Sequence, residues 1–136
     1  MYVDLPEFSG LTHDIIGAAI EVHKNLGPGL LESTYTPCFH YELRARNLKF
    51  IAQRPIPIVY KGMPLDSSYR IDLIVEDSVL VEVKSVAVVT PVFEAQLLTY
   101  LFLTRCPVGL LINFNVPLLT DGVVRKVNAR TYGETS

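Results

Sequence analysis

Three ionisable residues occupy positions where a core strand ordinarily carries apolar side chains: Asp72 in Tyr-Arg-Ile-Asp-Leu-Ile-Val, then Glu82 and Lys84 in Leu-Val-Glu-Val-Lys. Both segments are short and rich in Val, Ile and Leu, and Glu76-Asp77-Ser78 splits them, the pattern of two β-strands joined by a turn. Side chains alternate faces along a strand, so Glu82 and Lys84 share one face while Val81 and Val83 take the other. A hairpin closed at Val75 and Val79 places residue 72 directly opposite residue 82. The two carboxylates then lie about 5 Å apart on one face, a pairing that destabilises a sheet. A divalent cation compensates directly, because hard cations such as Mg²⁺ prefer carboxylate and carbonyl oxygens. The competing explanation is a buried ion pair of these acids with Lys84 or Arg70, and buried ion pairs rarely repay their desolvation.

The elements that must hold these residues follow from periodicity. From Leu11 to Leu26 apolar residues recur at helical spacing, with Thr12 as the expected cap and Gly27-Pro28 as the stop. A second helical stretch runs from about Leu31 to Arg46, with Leu31, Tyr35, Phe39 and Leu43 on one stripe. Thr36-Pro37 inside it reads as a cap and a first helical residue, so a kink or restart is expected there. Lys49 to Gln53 and Ile56 to Tyr60 read as strands, and Pro55 and Pro57 push that region toward a sheet edge. Lys61-Gly62 marks a turn. After the Asp72 and Glu82 strands, Thr90-Pro91 opens a strongly apolar helix to about Thr104. Val108 to Phe114 reads as a buried strand and Val123 to Val127 as a last, more exposed one. The order α-α-β-β-β-β-α-β-β gives an α/β fold, a central mixed sheet flanked by helices. The residues after Tyr132 form a polar tail, expected to fray.

Bulk properties bound the reading. The 136 residues make one domain, 1–136, long enough to bury roughly two-thirds of the unfolded surface. Cys106 to Thr120 is the longest uncharged stretch, too short for a membrane span and broken by Pro107, Asn113, Asn115 and Pro117. Met-Tyr-Val-Asp-Leu-Pro lacks the basic start and apolar run of a secretory signal. Cys38 and Cys106 lack metal-ligand spacing and are expected to be reduced thiols in a cytoplasmic protein. A net charge of −2 argues against strong nonspecific polyanion binding, yet local basic residues can still meet phosphates.

In the helix after Lys84, Gln96 and Tyr100 are four apart and share a face. Leu97, Leu98, Leu101 and Phe102 make most of the remaining circumference apolar, so Gln96 needs a partner, whether a backbone carbonyl or a functional group. Read in order, Asp72-x9-Glu82-x-Lys84-x11-Gln96-x3-Tyr100 resembles the motif series of the PD-(D/E)XK nuclease superfamily, in its RecB-like branch with Gln-x-x-x-Tyr. Gly29-Leu-Leu-Glu32-Ser-Thr-Tyr35 matches the Gly-x-x-Glu-x-x-Tyr that names the GxxExxY family of small bacterial proteins within it. The resemblance runs from about Leu11 to Asn128. It implies a restriction-endonuclease-like core and metal-dependent hydrolysis of phosphodiester bonds, most naturally in DNA. Carried over by position, Asp72, Glu82 and the Val83 backbone carbonyl hold Mg²⁺ or Mn²⁺. Glu32 completes the acidic shell directly or through a water, Lys84 contacts the attacking water and scissile phosphate, and Gln96 and Tyr100 orient the cluster and the nucleic acid. Two positions depart from the pattern: Phe93 stands where family members often carry His, and Thr36-Pro37-Cys38-Phe39 replaces a Glu- and Ala-rich stretch.

Other candidates are weaker. His13, His23 and His40 lack matched spacing and read as surface or satisfied histidines, although His23 lies near the approach to Glu32 and is a candidate substrate contact. Arg44, Arg46, Lys49 and Arg54 form a loose basic run, either solvated surface or a phosphate track. Arg70 is an ion-pair partner or a phosphate contact. Aromatic interleaving for stacking single strands is thin, with no Trp. The rival to an enzyme is an accessory or binding module that keeps the fold without turnover. Small size and acidic balance favour that rival, or a nuclease that relies on a homodimer or partner protein for grip.

Overall fold

The computed structural model describes residues 5–66 and 69–129. In chain order its elements are α1 (Ser9–Leu26), α2 (Glu32–Ala45), β1 (Phe50–Pro55), β2 (Ile58–Tyr60), β3 (Met63–Leu65), β4 (Arg70–Val75), β5 (Val79–Lys84), α3 (Pro91–Thr104), β6 (Val108–Asn113) and β7 (Val123–Val127). Five strands form one mixed sheet in the order β1-β4-β5-β6-β7, and β2-β3 is a separate two-stranded hairpin. Among the described strands only β5 and β6 run parallel, because α3 carries the chain back between them. This is the α/β core with flanking helices that the periodicity predicts.

Alternation along β5 builds two apolar layers. Val79, Val81 and Val83 join Val108, Leu110 and Ile112 of β6 in a core covered by Ile15, Ala19 and Val22 of α1 and Tyr35, Phe39 and Leu43 of α2. Leu80 and Leu111 face the other way, onto Leu97, Tyr100 and Leu101 of α3. Glu82 and Lys84 share the parity of Leu80 along β5, so both lie on the α3 side.

Several expectations need correction. Thr12 is not a cap: α1 starts at Ser9, entered through a short 3-10 turn at Pro6–Phe8. Thr12 is buried inside the helix, its hydroxyl donating to the Ser9 carbonyl at 3.1 Å. Nor does α2 restart at Pro37. The helix is continuous, because the carbonyl that Pro37 cannot serve belongs to exposed Ser33, where water can bond it, and the Thr36 hydroxyl donates to Glu32 O at 2.9 Å. An extra short strand, β3, follows the Lys61-Gly62 turn. Finally, α3 buries one side only, leaving Leu98 45% exposed beside the buried Leu97. The polar tail lies outside the described residues. No helix among the described residues is long and apolar enough to cross a membrane.

Candidate active site

The hairpin of β4 and β5 closes as predicted, with Val75 opposite Val79, Ile74 opposite Leu80 and Leu73 opposite Val81. There the backbone ladder stops. One position further on, the Asp72 N–H donates to Glu82 Oε2 at 3.1 Å, and the Val83 N–H donates to Asp72 Oδ2 at 2.8 Å. Each carboxylate thus caps a main-chain donor of the opposite strand, replacing ladder bonds with side-chain ones. On its other edge β4 is also disturbed. Ala52 pairs with Leu73 and Arg54 with Ile71, but Gln53, between them, adopts a left-handed φ of 57°. A non-glycine residue in that region costs on the order of 1–3 kcal/mol. Ile71 joins the α3-side core and Leu73 the opposite one, so the strand rotates at Asp72 and breaks the pleat's alternation. Asp72 therefore sits at a kink between two splayed strands.

β5 remains straight because β6 holds it through Lys84↔Asn113. The Phe114 N–H donates to Lys84 O at 2.9 Å. Asn113 is buried and fastens the following loop: its Nδ2 donates to Val86 O and its Oδ1 accepts from Val86 N–H, each at 3.0 Å. In an extended strand the N–H and C=O of one residue point the same way. Because the Val83 N–H reaches Asp72, its carbonyl is also directed toward β4, where the carboxylates are.

The electrostatics match the geometry. Glu82 is only 6% exposed. Its carboxyl is pushed up to about 9 from the usual 4.5, first by burial, then by the charge of Asp72 and a hydrogen bond shared with it. Lys84 opposes this rise, but as the smallest of the named influences. Among the described residues, ion pairs within 4.0 Å are Arg46–Glu42 and Lys126–Glu94, so neither Lys84 nor Arg70 pairs with the acids. The Lys84 ammonium instead lies 4.8 Å from the centre of the Phe93 ring. Tyr100 rises above the ordinary phenol range through burial and then the charge of Glu82, with Tyr69 and Asp72 adding less and Gln96 working the other way. Gln96 is half-buried on α3, one turn before this phenol.

Glu32 reaches the site from the other layer. Its Oε1 accepts the Ser85 N–H at 3.3 Å, one residue beyond Lys84. The spacing of Gly29, Glu32 and Tyr35 now has a physical basis. Tyr35 is fully buried, stacked on Phe114 with ring centres 4.6 Å apart. Its hydroxyl donates to Gly27 O at 2.6 Å and accepts from Leu30 N–H at 3.1 Å. Gly29 supplies the φ of 98° that lets the loop turn beneath it. The loop is thereby pinned, and Glu32 starts its helix against the end of β5.

Among the described residues no three His, Cys, Asp or Glu side chains form a closed metal cage. Asp72, Glu82 and the Val83 carbonyl nevertheless offer hard oxygen donors beside a buried acid that no cation offsets within ion-pair distance. That donor set fits Mg²⁺ or Mn²⁺, which keep several waters of their own.

The remaining candidates disperse. His23 is structural, its Nε2 2.7 Å from Val116 O. His40 packs against Phe50, and burial lowers its pKa. The basic run divides, since Arg46 pairs with Glu42 and Arg44 lies over Phe50. A cleft of about 570 Å³ between α1 and α2, lined by Val22, Cys38 and Tyr41, shares no residue with this site. Ser85, Asn113 and Gln53 are site neighbours that sequence reasoning missed, while Phe93, noted only as a departure from the family pattern, lies beneath Lys84. Asn113 carried a signal, a lone amide in an apolar strand; Gln53 carried none.

The sequence profile of the PD-(D/E)XK nuclease superfamily matches residues 9–126, from the first residue of α1 nearly to the end of β7. No curated protein and no solved structure matches the chain. On a match that spans the whole sheet and its helices, the chain belongs to the PD-(D/E)XK nuclease superfamily.

Proposed function

We propose that this protein is a Mg²⁺- or Mn²⁺-dependent nuclease that hydrolyses phosphodiester bonds in DNA, of the GxxExxY type within the superfamily's RecB-like branch. One observation carries the reading: Asp72 and Glu82 cap each other's strands at a kink, with the buried acid left without a cationic side chain. A structural ion pair would place Lys84 or Arg70 against them.

Asp72, Glu82 and the Val83 carbonyl would hold the ion, with Glu32 adding a ligand directly or through a water. When bound, such an ion lowers the pKa of its water and polarises the phosphoryl oxygen. Lys84 leans on the Phe93 ring and not on the acids, so its ammonium is available to the phosphate and offsets charge developing there. Tyr100, one turn beyond Gln96 on α3, feels the charge of both acids, and the two side chains would orient them and the nucleic acid. Glu32 ties the α2 start to Ser85 and keeps the two layers in register at the site.

Lys84→Ala tests the assignment. It should leave Mn²⁺ affinity within about twofold and lower cleavage of DNA by at least the ~100-fold typical of a lost charge-stabilising group. Equal activity in variant and parent, or no metal-dependent cleavage by the parent on DNA or RNA, would hand the fold to the binding-module reading.

A further inference from the structure

The β2–β3 hairpin is an arm that the acidic site does not need for its own construction. Its turn, Lys61-Gly62, has φ values of 50° and 79°, the tight two-residue geometry whose twist matches the flanking strands. Its root is anchored, for Ile56 is buried and Ile58 packs on the core cluster that contains Ile71, Tyr100 and Phe93. Its outer half is open.

Register fixes which face the arm turns toward the site. Ile58 pairs with Leu65, Val59 with Pro64 and Tyr60 with Met63. Cross-strand partners and alternate residues share a face, so Tyr60, Met63 and Leu65 lie on the face of Ile58. Through Ile58 that face is turned toward the cluster holding Tyr100, against which Phe93 also packs, on the α3 side of the sheet where Glu82 and Lys84 lie. Here Tyr60 is 57% and Met63 55% exposed. An aromatic and a thioether left open beside a polar site call for an apolar, planar occupant.

Charge identifies the class. Between Phe50 and Ile71 the chain carries Arg54, Lys61 and Arg70 against one acid, Asp66, although the whole protein is at −2. The Lys61 ammonium lies 5.5 Å from the centre of the Tyr60 ring, so cation and stacking surface are presented together. Arg54 and Arg70 are exposed at the arm's root, where β1 and β4 pair. A base can stack on Tyr60 only if its own face is free, which in a duplex is true of unpaired or terminal bases alone.

We propose that the β2–β3 arm grips single-stranded nucleic acid, stacking an unpaired base on Tyr60 against Met63 while Lys61 and Arg54, the latter on the face of its α3-side partner Ile71, hold the adjoining phosphates. The inference deepens the nuclease reading and rests on it for the chemistry downstream, but the grip itself is measurable without cleavage.

The test uses the full chain in a Lys84→Ala background, in Mg²⁺, with fluorescein-labelled oligothymidylate and oligouridylate read by anisotropy, and a relaxed closed-circular duplex, which has no ends, as the unlabelled competitor that reports duplex binding. Tyr60→Ala should weaken binding of the single strands at least about fivefold, the low end of base–aromatic stacking, and change duplex binding less than twofold. Tyr60→Phe should restore the parent's affinity, and Lys61→Ala should reduce the slope of log affinity against log salt by about 0.7. The tighter of the two single strands names the sugar, and either supports the arm. Unchanged single-strand affinity in Tyr60→Ala, equal loss on duplex, or no oligonucleotide binding at all overturns it. Cleavage by the parent is scored separately. Turnover with an indifferent Tyr60 sinks the arm and keeps the nuclease, whereas Tyr60-dependent binding without turnover does the reverse.

Discussion

Replacing Glu82 by Gln in metal-free buffer should make the protein less sensitive to pH, and more stable than the parent under mildly alkaline conditions. Unfolded, Glu82 ionises near the usual 4.5; folded, it keeps its proton to about 9. Between those values the native state holds one proton more than the unfolded chain, so stability falls as pH rises, by at most about 1.4 kcal/mol per unit. The favourable contribution is complete below pH 4.5 and is lost on the way to 9. From pH 5 to 8 this one group accounts for at most about 4 kcal/mol, on the order of 10 °C in melting temperature for a chain of this size. Glutamine loses the titration but not the geometry. Its amide oxygen can still accept the Asp72 N–H, now bonded at 3.1 Å, and its NH₂ can donate to the Asp72 carboxylate as the shared proton does. Melting curves of parent and Glu82→Gln, taken in chelator at half-unit steps, should meet near pH 5 and separate steadily above it. Carboxylates other than Asp72, which is coupled to residue 82, titrate in both proteins and cancel in the difference. Parallel curves across that range would show that Glu82 ionises normally in the fold, and the reasoning from burial beside Asp72 would fail.

Excess Mg²⁺ should raise the parent's melting temperature near neutral pH and leave Asp72→Asn nearly unmoved, while chelated Asp72→Asn should melt above the chelated parent. A loss of several kcal/mol in chelated Asp72→Asn would instead mark Asp72 as a structural partner. Tyr35→Phe keeps the stack on Phe114 but removes bonds to Gly27 O and Leu30 N–H, so it should cost about 1–3 kcal/mol in urea unfolding and speed hydrogen exchange at Leu30. Slow exchange at Leu30 in that variant would show that the loop before Glu32 is held by something else. Gly122→Ala should destabilise by about 3 kcal/mol, since an added Cβ would fall 2.1 Å from the Asn113 carbonyl oxygen, a backbone atom with no room to yield. A loss below about 0.5 kcal/mol would mean that this corner relaxes freely.

Much of the molecule is legible without coordinates because its signals are local. Alternation of Val and Leu with Glu82 and Lys84 assigns the faces of β5, and the turn residues Glu76-Asp77-Ser78 set the hairpin register on which everything else depends. Thr90-Pro91 and Gly27-Pro28 mark helix ends by backbone restrictions that hold wherever the chain sits. Thus the order of elements apart from β3, the opposed acids and the shared face of Gln96 and Tyr100 follow from the residue string alone. The places where it misleads are those where the surroundings of a residue outweigh its own preference. Thr12 has the chemistry of a cap, yet the turn at Pro6–Phe8 extends the helix past it; Pro37 ought to interrupt α2, yet the bond it forgoes lies on the wet side.

What only tertiary structure decides is how the acids are used. Pairing residue 72 with residue 82 predicts repulsion, but not that each carboxylate takes the other strand's N–H, nor that Gln53 turns left-handed to let β4 rotate there. These depend on β6 holding β5 straight while β1 yields, a balance among three strands distant in sequence. Lys84 is equally ambiguous on paper, ion-pair partner or free cation, until Phe93 from the next helix comes to lie beneath it. Local periodicity can name which residues share a face. Whether a buried charge there is neutralised, perched or left strained depends on which neighbours the packed fold brings within a few ångströms, because desolvation and Coulomb energies are set by those neighbours and not by spacing along the chain.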